Sequence, residues 1–236
     1  MNEKIVIIIP AYNEEKNITK VIESLSSLNI YADLFIINDG STDNTSIVVK
    51  KTQKAELISL KKNLGIGGAV QTGFKIAKIY NYDIAVQFDG DGQHNAYEIL
   101  KLIEPLNANE ADVVVGSRFI NNNGFRSTFL RRIGIKLFEI LNLLLINQKI
   151  KDNTSGFRAY NKRAIDFLAD NYPQDYPEPE AIILLGRNNF RIKEIPTLMN
   201  IREHGKSSIS GLISVYYMIK VILSIFITFL RKRERK

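Results

Sequence analysis

Residues 5 to 9, Ile-Val-Ile-Ile-Ile, are five consecutive β-branched side chains. β-Branching suits an extended backbone, and a run without alternation has no face to offer water. Such a strand must be covered on both sides, as in a parallel sheet sandwiched by helices. Pro10 ends the run, and Ala11-Tyr12-Asn13-Glu14-Glu15 reads as the turn after it.

The same unit recurs along the chain. Ile18, Val21, Ile22 and Leu25 predict a helix reaching about Leu28. Leu34 to Ile37 form a second strand closed by Asn38-Asp39-Gly40-Ser41-Thr42-Asp43, in which Ser41, Thr42 and Asp43 can each cap the next helix. Glu56 to Leu60 is a weaker third strand, and Asn63-Leu-Gly-Ile-Gly-Gly68 precedes a helix from Ala69 to about Tyr80. Those glycines make no dinucleotide fingerprint, because Val70 holds the third glycine position, and no Lys-Ser/Thr pair completes a P-loop. The strand Ile84 to Phe88, a helix near Tyr97 to Leu106 and the strand Val113-Val-Val115 continue the series. This alternation predicts an α/β fold with a mostly parallel, doubly wound sheet. Ligands of such sheets bind at the carboxyl ends of the strands. The acid-bearing loops at 11–15, 38–43 and 89–94 are therefore expected on one edge, as a single site.

The sharpest of these loops is Asp89-Gly-Asp91-Gly-Gln93-His94. Side chains at i and i+2 of a strand share a face, but glycines at 90 and 92 let the backbone turn so that both carboxylates converge on one point. Two carboxylates after a buried strand suit a hard divalent cation, and magnesium takes one or two while leaving positions for phosphate oxygens. A calcium EF-hand does not fit, since His94 and Leu100 stand where Gly and Glu are required. A glycosidase pair must flank its sugar about 5 Å or more apart, which argues against that chemistry.

Composition narrows the classes further. A chain of 236 residues, 45% hydrophobic and 24% charged, can bury one α/β core with an appendage. The absence of cysteine excludes thiolate and disulfide chemistry, and two histidines argue against a His-rich zinc site. A net charge of +7 favours anionic partners, among them nucleotides, phospholipid headgroups and nucleic acid. The first apolar run is too short for a signal peptide.

Beyond residue 116 the alternation breaks. A helix from Phe129 to about Ile146 carries a wide apolar face, with Arg131, Arg132 and Lys136 in its first half. It reads either as half-buried with a basic edge or as a helix lying in a membrane surface. Asp152 to Arg158 is a polar loop before a short helix, Asp175 to Glu180 opens a helix to about Gly186, and 190–195 form a strand. Ile209 to Leu230 carries one charge, Lys220, and is followed by Arg231-Lys-Arg-Glu-Arg-Lys236. Its length would span a bilayer. A polar stripe through Ser210, Ser214, Tyr217, Ser224 and Thr228 instead favours an amphipathic helix on the membrane, its basic end against anionic lipid.

Pro10-Ala-Tyr-Asn-Glu14, Asn38-Asp39-Gly-Ser-Thr-Asp43, Asp89-Gly-Asp-Gly-Gln-His94, Gly116-Ser-Arg118 and Ser155-Gly-Phe-Arg158 occur in the order found in the inverting glycosyltransferases of family 2. The chain resembles that family, whose fold is GT-A, over residues 5 to about 207. It is most similar to the dolichol- or polyprenol-phosphate mannose and glucose synthase branch.

The resemblance implies a glycosyltransferase domain over 1–207, with a nucleotide-binding half (1–116) and an acceptor half (117–207), and a membrane-associating segment over 208–236. It implies that Pro10, Ala11, Tyr12, Glu14 and Asp39 hold the nucleoside of a sugar nucleotide, and that Asp89, Asp91 and Gln93 bind Mg²⁺ or Mn²⁺. Arg118, Arg131, Arg132 and Arg202 would face phosphates, Ser155 and Glu180 would line the sugar side, and Asp91, Arg118 and Glu180 would be catalytic. The expected partners are a nucleotide-sugar donor, a lipid-phosphate acceptor and the cytoplasmic face of a membrane, and not nucleic acid. Asp175 and Glu178 keep a second acceptor open, since a sugar hydroxyl needs a base. A nucleotidyltransferase lacks the triphosphate loop it would need, and an idle membrane scaffold would have no use for both aspartates.

Overall fold

β1 (Ile5–Ala11) pairs in parallel with β2 (Ala32–Asn38) on one side and with β4 (Ile84–Gln87) on the other. The computed structural model describes residues 3–120, 129–200 and 212–230, with 129–133, 212–217 and 219 placed as backbone only. β3 (Glu56–Ser59), β5 (Val113–Ser117), β6 (Arg158–Asn161) and β7 (Ile192–Pro196) complete a sheet of order β3-β2-β1-β4-β6-β5-β7. All pairings are parallel except those of β6, which runs antiparallel between β4 and β5.

The pleat explains the unbroken apolar run of β1. Ile7 and Ile9 join a core with α1 (Ile18–Ser26) and α4 (Ile99–Asn107), while Val6 and Ile8 join a second core with α3 (Gly65–Ile79), α6 (Lys162–Asn171) and α7 (Pro177–Arg187). Both faces are buried, so both parities are apolar. α2 (Thr45–Thr52) covers the first face beside β2 through Val49.

Four local expectations are corrected. β1 does not stop at Pro10, for Pro10 pairs with Ile37 and Ala11 with Asn38. Ile8 O accepts from Phe88 N, so by alternation Pro10 also faces the β4 side, where β4 has already ended and no donor is required. α3 begins at Gly65 rather than Ala69, taking the glycines into its first turn. α2 begins at Thr45 with Asn44 at its cap position, so Ser41, Thr42 and Asp43 lie before it. A strand, Arg158–Asn161, stands between the expected 152–158 loop and the helix after it.

α5 (Phe129–Ile146) and α8 (Leu212–Leu230) pack with α7 outside the second face. Phe138 and Leu141 of α5, Ile183 of α7, and Val221 and Ile225 of α8 form a third apolar cluster. Thr228, expected on a polar stripe, is buried in this packing. Among the described residues, no helix is long and apolar enough to cross a membrane.

Candidate active site

The carboxyl ends of β2, β1 and β4 and the start of β6 open on a cleft of about 480 Å³. Following the strands across the sheet, its lining runs from Asp39, through Pro10, Ala11, Tyr12 and Glu14, to Asp89, Gly90 and Asp91, then to Thr154, Gly156 and Glu178. Asn63, Gly65, Ile66 and Ala69, from the start of α3, also line it. The three acid-bearing loops thus meet as expected.

Hydrogen bonds lock the 11–15 and 38–43 loops together. Asn13, at positive φ, accepts from Thr42 N at 2.8 Å, while Ser41 Oγ accepts from Asn13 N at 2.9 Å. Asp43 accepts from Glu15 N and from Thr45 N and Oγ1, and these bonds outweigh burial and hold its carboxyl below the usual range. Residues 41–43, read as caps, therefore stitch two loops into one wall. Buried Asp39 accepts from Leu64 N at 2.7 Å, which pins the start of α3 against β2. The turn between them requires Gly40: φ is +68°, and a Cβ would lie 2.8 Å from Asn63 N.

In the acidic loop, Asp91 Oδ1 accepts from Gln93 N at 3.0 Å and Asp89 N donates to His94 Nδ1 at 3.1 Å. His94 is buried, and desolvation lowers its pKa to about 4, so the ring is neutral near pH 7. Asn200, after β7, donates its N–H to Gln93 O at 2.7 Å and its amide to Gly92 O and His94 O. The loop is built before any ligand arrives.

The residues after β5 are arranged differently from expectation. Arg118 does not line the cleft. Its Nε and Nη2 hold Asp152 at 2.8 and 2.7 Å, and Nη2 also reaches Thr154 Oγ1. Burial opposes its charge, but the bonds to Asp152 dominate and raise its pKa. Ser155 is also off the cleft, buried, donating to Gly116 O at 2.6 Å and accepting from Phe157 N. Arg158 is fully buried and donates to Ser155 O, Asn153 O and Glu178 O, tying Thr154 and Gly156 to the start of α7.

Glu178, and not Glu180, lines the cleft. Glu180 turns away from the cleft, where Oε1 accepts from Tyr176 N and Oε2 from Thr228 Oγ1. Glu178 lines the cleft, and burial pushes its carboxyl up from the usual range. Gln93 contributes no lining, and the side chains of Arg131, Arg132 and Arg202 lie outside the described residues. Sequence reasoning passed over Asn63, Thr154 and Gly156, for which a polar or glycine loop residue is too common a signal.

A divalent cation fits this donor set. Asp89 and Asp91 line the same cleft, and no group of three or more His, Asp or Glu metal ligands occurs among the described residues. Two carboxylates with open positions suit Mg²⁺ or Mn²⁺ shared with phosphate oxygens and do not suit zinc.

The sheet is mostly parallel and carries an acidic cleft at its carboxyl edge. Residues 6–168 match the family described as glycosyl transferase family 2, and the chain belongs to it. Among its relatives, the UDP-N-acetylglucosamine–dolichyl-phosphate N-acetylglucosaminyltransferase of Methanococcus voltae is 35% identical over 216 residues, covering 83% of this chain and 86% of that protein. The polyprenol monophosphomannose synthase of Mycolicibacterium smegmatis is 26% identical over 218 residues, covering 89% and 82%. The fold is shared with glucosyl-3-phosphoglycerate synthase from Mycobacterium tuberculosis, solved with Mn²⁺, uridine diphosphate and phosphoglyceric acid. That likeness has a TM-score of 0.73 at 19% identity and covers 99% of this chain and 81% of that one.

Proposed function

We propose that the chain moves a hexose, with inversion, from a UDP- or GDP-sugar to a polyprenyl phosphate. The observation that carries this reading is the single cleft shared by the Tyr12 and Asp39 loops, by Asp89 and Asp91, and by Glu178. The nucleoside would lie against Pro10, Ala11, Tyr12, Glu14 and Asp39, and the diphosphate at Asp89 and Asp91. The sugar would lie beside Thr154, Gly156 and Glu178. The relatives named above act, by their names, on dolichyl phosphate and polyprenol phosphate.

In the reaction an acceptor oxygen attacks the anomeric carbon as the bond to the diphosphate breaks, and the nucleoside diphosphate leaves. Asp89 and Asp91 would hold Mg²⁺ or Mn²⁺, which would supply charge neutralisation for the departing diphosphate. Glu178 offers its carboxylate to hydroxyls of the transferred hexose; among the described residues it shares a hydrogen bond with no other side chain. Arg118 and Arg158 hold the Asn153–Gly156 wall in place. A lipid phosphate arrives as an anion and needs no base, so the sequence cations Arg131, Arg132 and Arg202 are assigned to it. Transfer to a sugar hydroxyl is the second reading, favoured by Glu178 in the cleft, where it could accept a proton.

The membrane would be met by α5 and α8. Ile140, Leu143 and Leu144 on one helix, and Leu223, Phe226, Ile227 and Leu230 on the other, are exposed beside their packed faces. An exposed apolar surface followed in sequence by Arg231-Lys-Arg-Glu-Arg-Lys236 suits peripheral attachment to an anionic bilayer.

The test is incubation with labelled UDP- and GDP-sugars plus polyprenyl phosphate and, in parallel, oligosaccharide acceptors, followed by organic extraction. Label in an acid-labile lipid supports the proposal. Label only in water-soluble oligosaccharide selects the hydroxyl acceptor, and label in neither product overturns both.

A further inference from the structure

Asp89 leaves the sheet just beyond β4, yet its seat is built by the other half of the chain. A Cβ at Gly156 would lie 2.8 Å from both Oδ1 and Oδ2 of Asp89. Gly156 is not at positive φ, so its backbone does not demand glycine. What demands it is the Asp89 carboxylate, which takes the space a Cβ would need.

The other side of Asp89 is held by His94. Asp89 N donates to Nδ1 at 3.1 Å, and Nε2 stands 3.4 Å from Oδ2. With Nδ1 accepting, the ring proton sits on Nε2 and faces the carboxylate. The imidazole is fixed by stacking on Phe157, with centroids 4.8 Å apart and planes 20° apart, and by the edge contact with Phe88. Phe157 directly follows Gly156. One short segment thus sets both contacts, one through a missing side chain and one through an aromatic platform. Ser155 and Arg158, at its two ends, are spent on backbone carbonyls and hold the segment rigid.

We propose that Gly156 and His94 are positioning residues that aim the Asp89 carboxylate at the divalent cation, so that the Ser155–Arg158 segment governs metal affinity without touching substrate through Ser155 or Arg158. The inference rests on the metal dependence proposed above. Partners that orient a ligating carboxylate are typically worth about 10–100-fold in metal affinity. Gly156→Ala pushes against a side-chain terminus, so the carboxylate moves and the fold survives. His94→Phe keeps the stack on Phe157 and removes both nitrogen contacts.

The experiment is Mn²⁺ titration of the full chain, followed by the electron paramagnetic resonance signal of free Mn²⁺, with UDP or GDP present. Wild type, Gly156→Ala, His94→Phe and Thr154→Val are compared, the last as a cleft change that does not touch Asp89. The expected result is a Kd for Mn²⁺ raised about 10–100-fold in the first two variants and unchanged in Thr154→Val. Activity assays of His94→Phe should show the same rise in the Mn²⁺ concentration required, with turnover recovering at saturation. Wild-type affinity in both Gly156→Ala and His94→Phe overturns the proposal and leaves the metal reading standing. A wild type that takes up no Mn²⁺ overturns both. If either variant fails to fold by circular dichroism, the other decides alone.

Discussion

Thr228 of α8 donates a 2.9 Å hydrogen bond to Glu180 of α7, and both side chains are buried. The second oxygen of the same carboxylate accepts from Tyr176 N at 3.0 Å, and Arg187 returns a bond to Thr228 O. Glu180 therefore fastens the C-terminal helix to the helix whose first turn carries Glu178. Glu180→Ala strands the buried Thr228 hydroxyl and the half-buried Tyr176 N–H and should cost about 2–4 kcal/mol, read as a lower urea midpoint.

Glu178 should behave in the opposite way. Its carboxyl is destabilised by burial, so Glu178→Gln should leave the unfolding free energy within about 0.5 kcal/mol of wild type. Losing a charged hydrogen bond to the sugar should lower transfer about 10–100-fold. A large stability loss with full activity would return the substrate-facing role to Glu180.

Arg118 and Asp152 form a pair in which Asp152 is completely buried. Arg118→Ala leaves that carboxylate uncompensated, at a cost of about 3–5 kcal/mol. Arg118→Lys keeps the charge but gives up the fork and should cost less. Should Arg118→Ala unfold like wild type and lose only affinity for lipid phosphate, Arg118 contacts the acceptor instead.

Chelation with EDTA should abolish transfer, and Mn²⁺ or Mg²⁺ should restore it. Asp91→Asn should reduce metal-supported turnover by about 100-fold or more. Transfer that persists unchanged in excess chelator would remove the cation from the reaction.

Asp112 sets an acid limit on stability. Burial works against its charge, but Arg191 N and side chain, together with Asn161, hold its pKa below the usual 3.8. A carboxyl depressed in the folded state contributes stability above its unfolded pKa, and loses it as pH falls through the folded value. Denaturation midpoints should therefore drop below about pH 4 in wild type, and this part of the drop should be missing in Asp112→Asn.

Leu144 and Leu223 are 75% and 59% exposed on the outer sides of α5 and α8. The double change Leu144→Glu, Leu223→Glu should abolish sedimentation with anionic vesicles and leave the melting temperature nearly unchanged. Equal vesicle binding by the double variant and wild type would place the membrane contact elsewhere.

The β1 run, the helical spacing of Ile18 to Leu25 and the acid-bearing turns after residues 9, 37 and 88 were enough to fix the sheet's parallel half and to gather three loops on one edge. Those inferences depend on local periodicity and chain order, which a sequence carries openly. Tertiary structure alone decided which carboxylate of α7 faces the cleft. Residues 178 and 180 are two positions apart, and at about 100° per residue they point to nearly opposite sides of the helix. Only the packing of α8 says which side is solvent-filled. β6 was hidden for a related reason, because Arg-Ala-Tyr-Asn has no apolar run and its buried guanidinium is made tolerable by the carbonyls of Asn153, Ser155 and, from α7, Glu178. The place of Gly156 is the clearest case. Nothing in the letters around it reveals that a carboxylate from residue 89 occupies the space where its side chain would be.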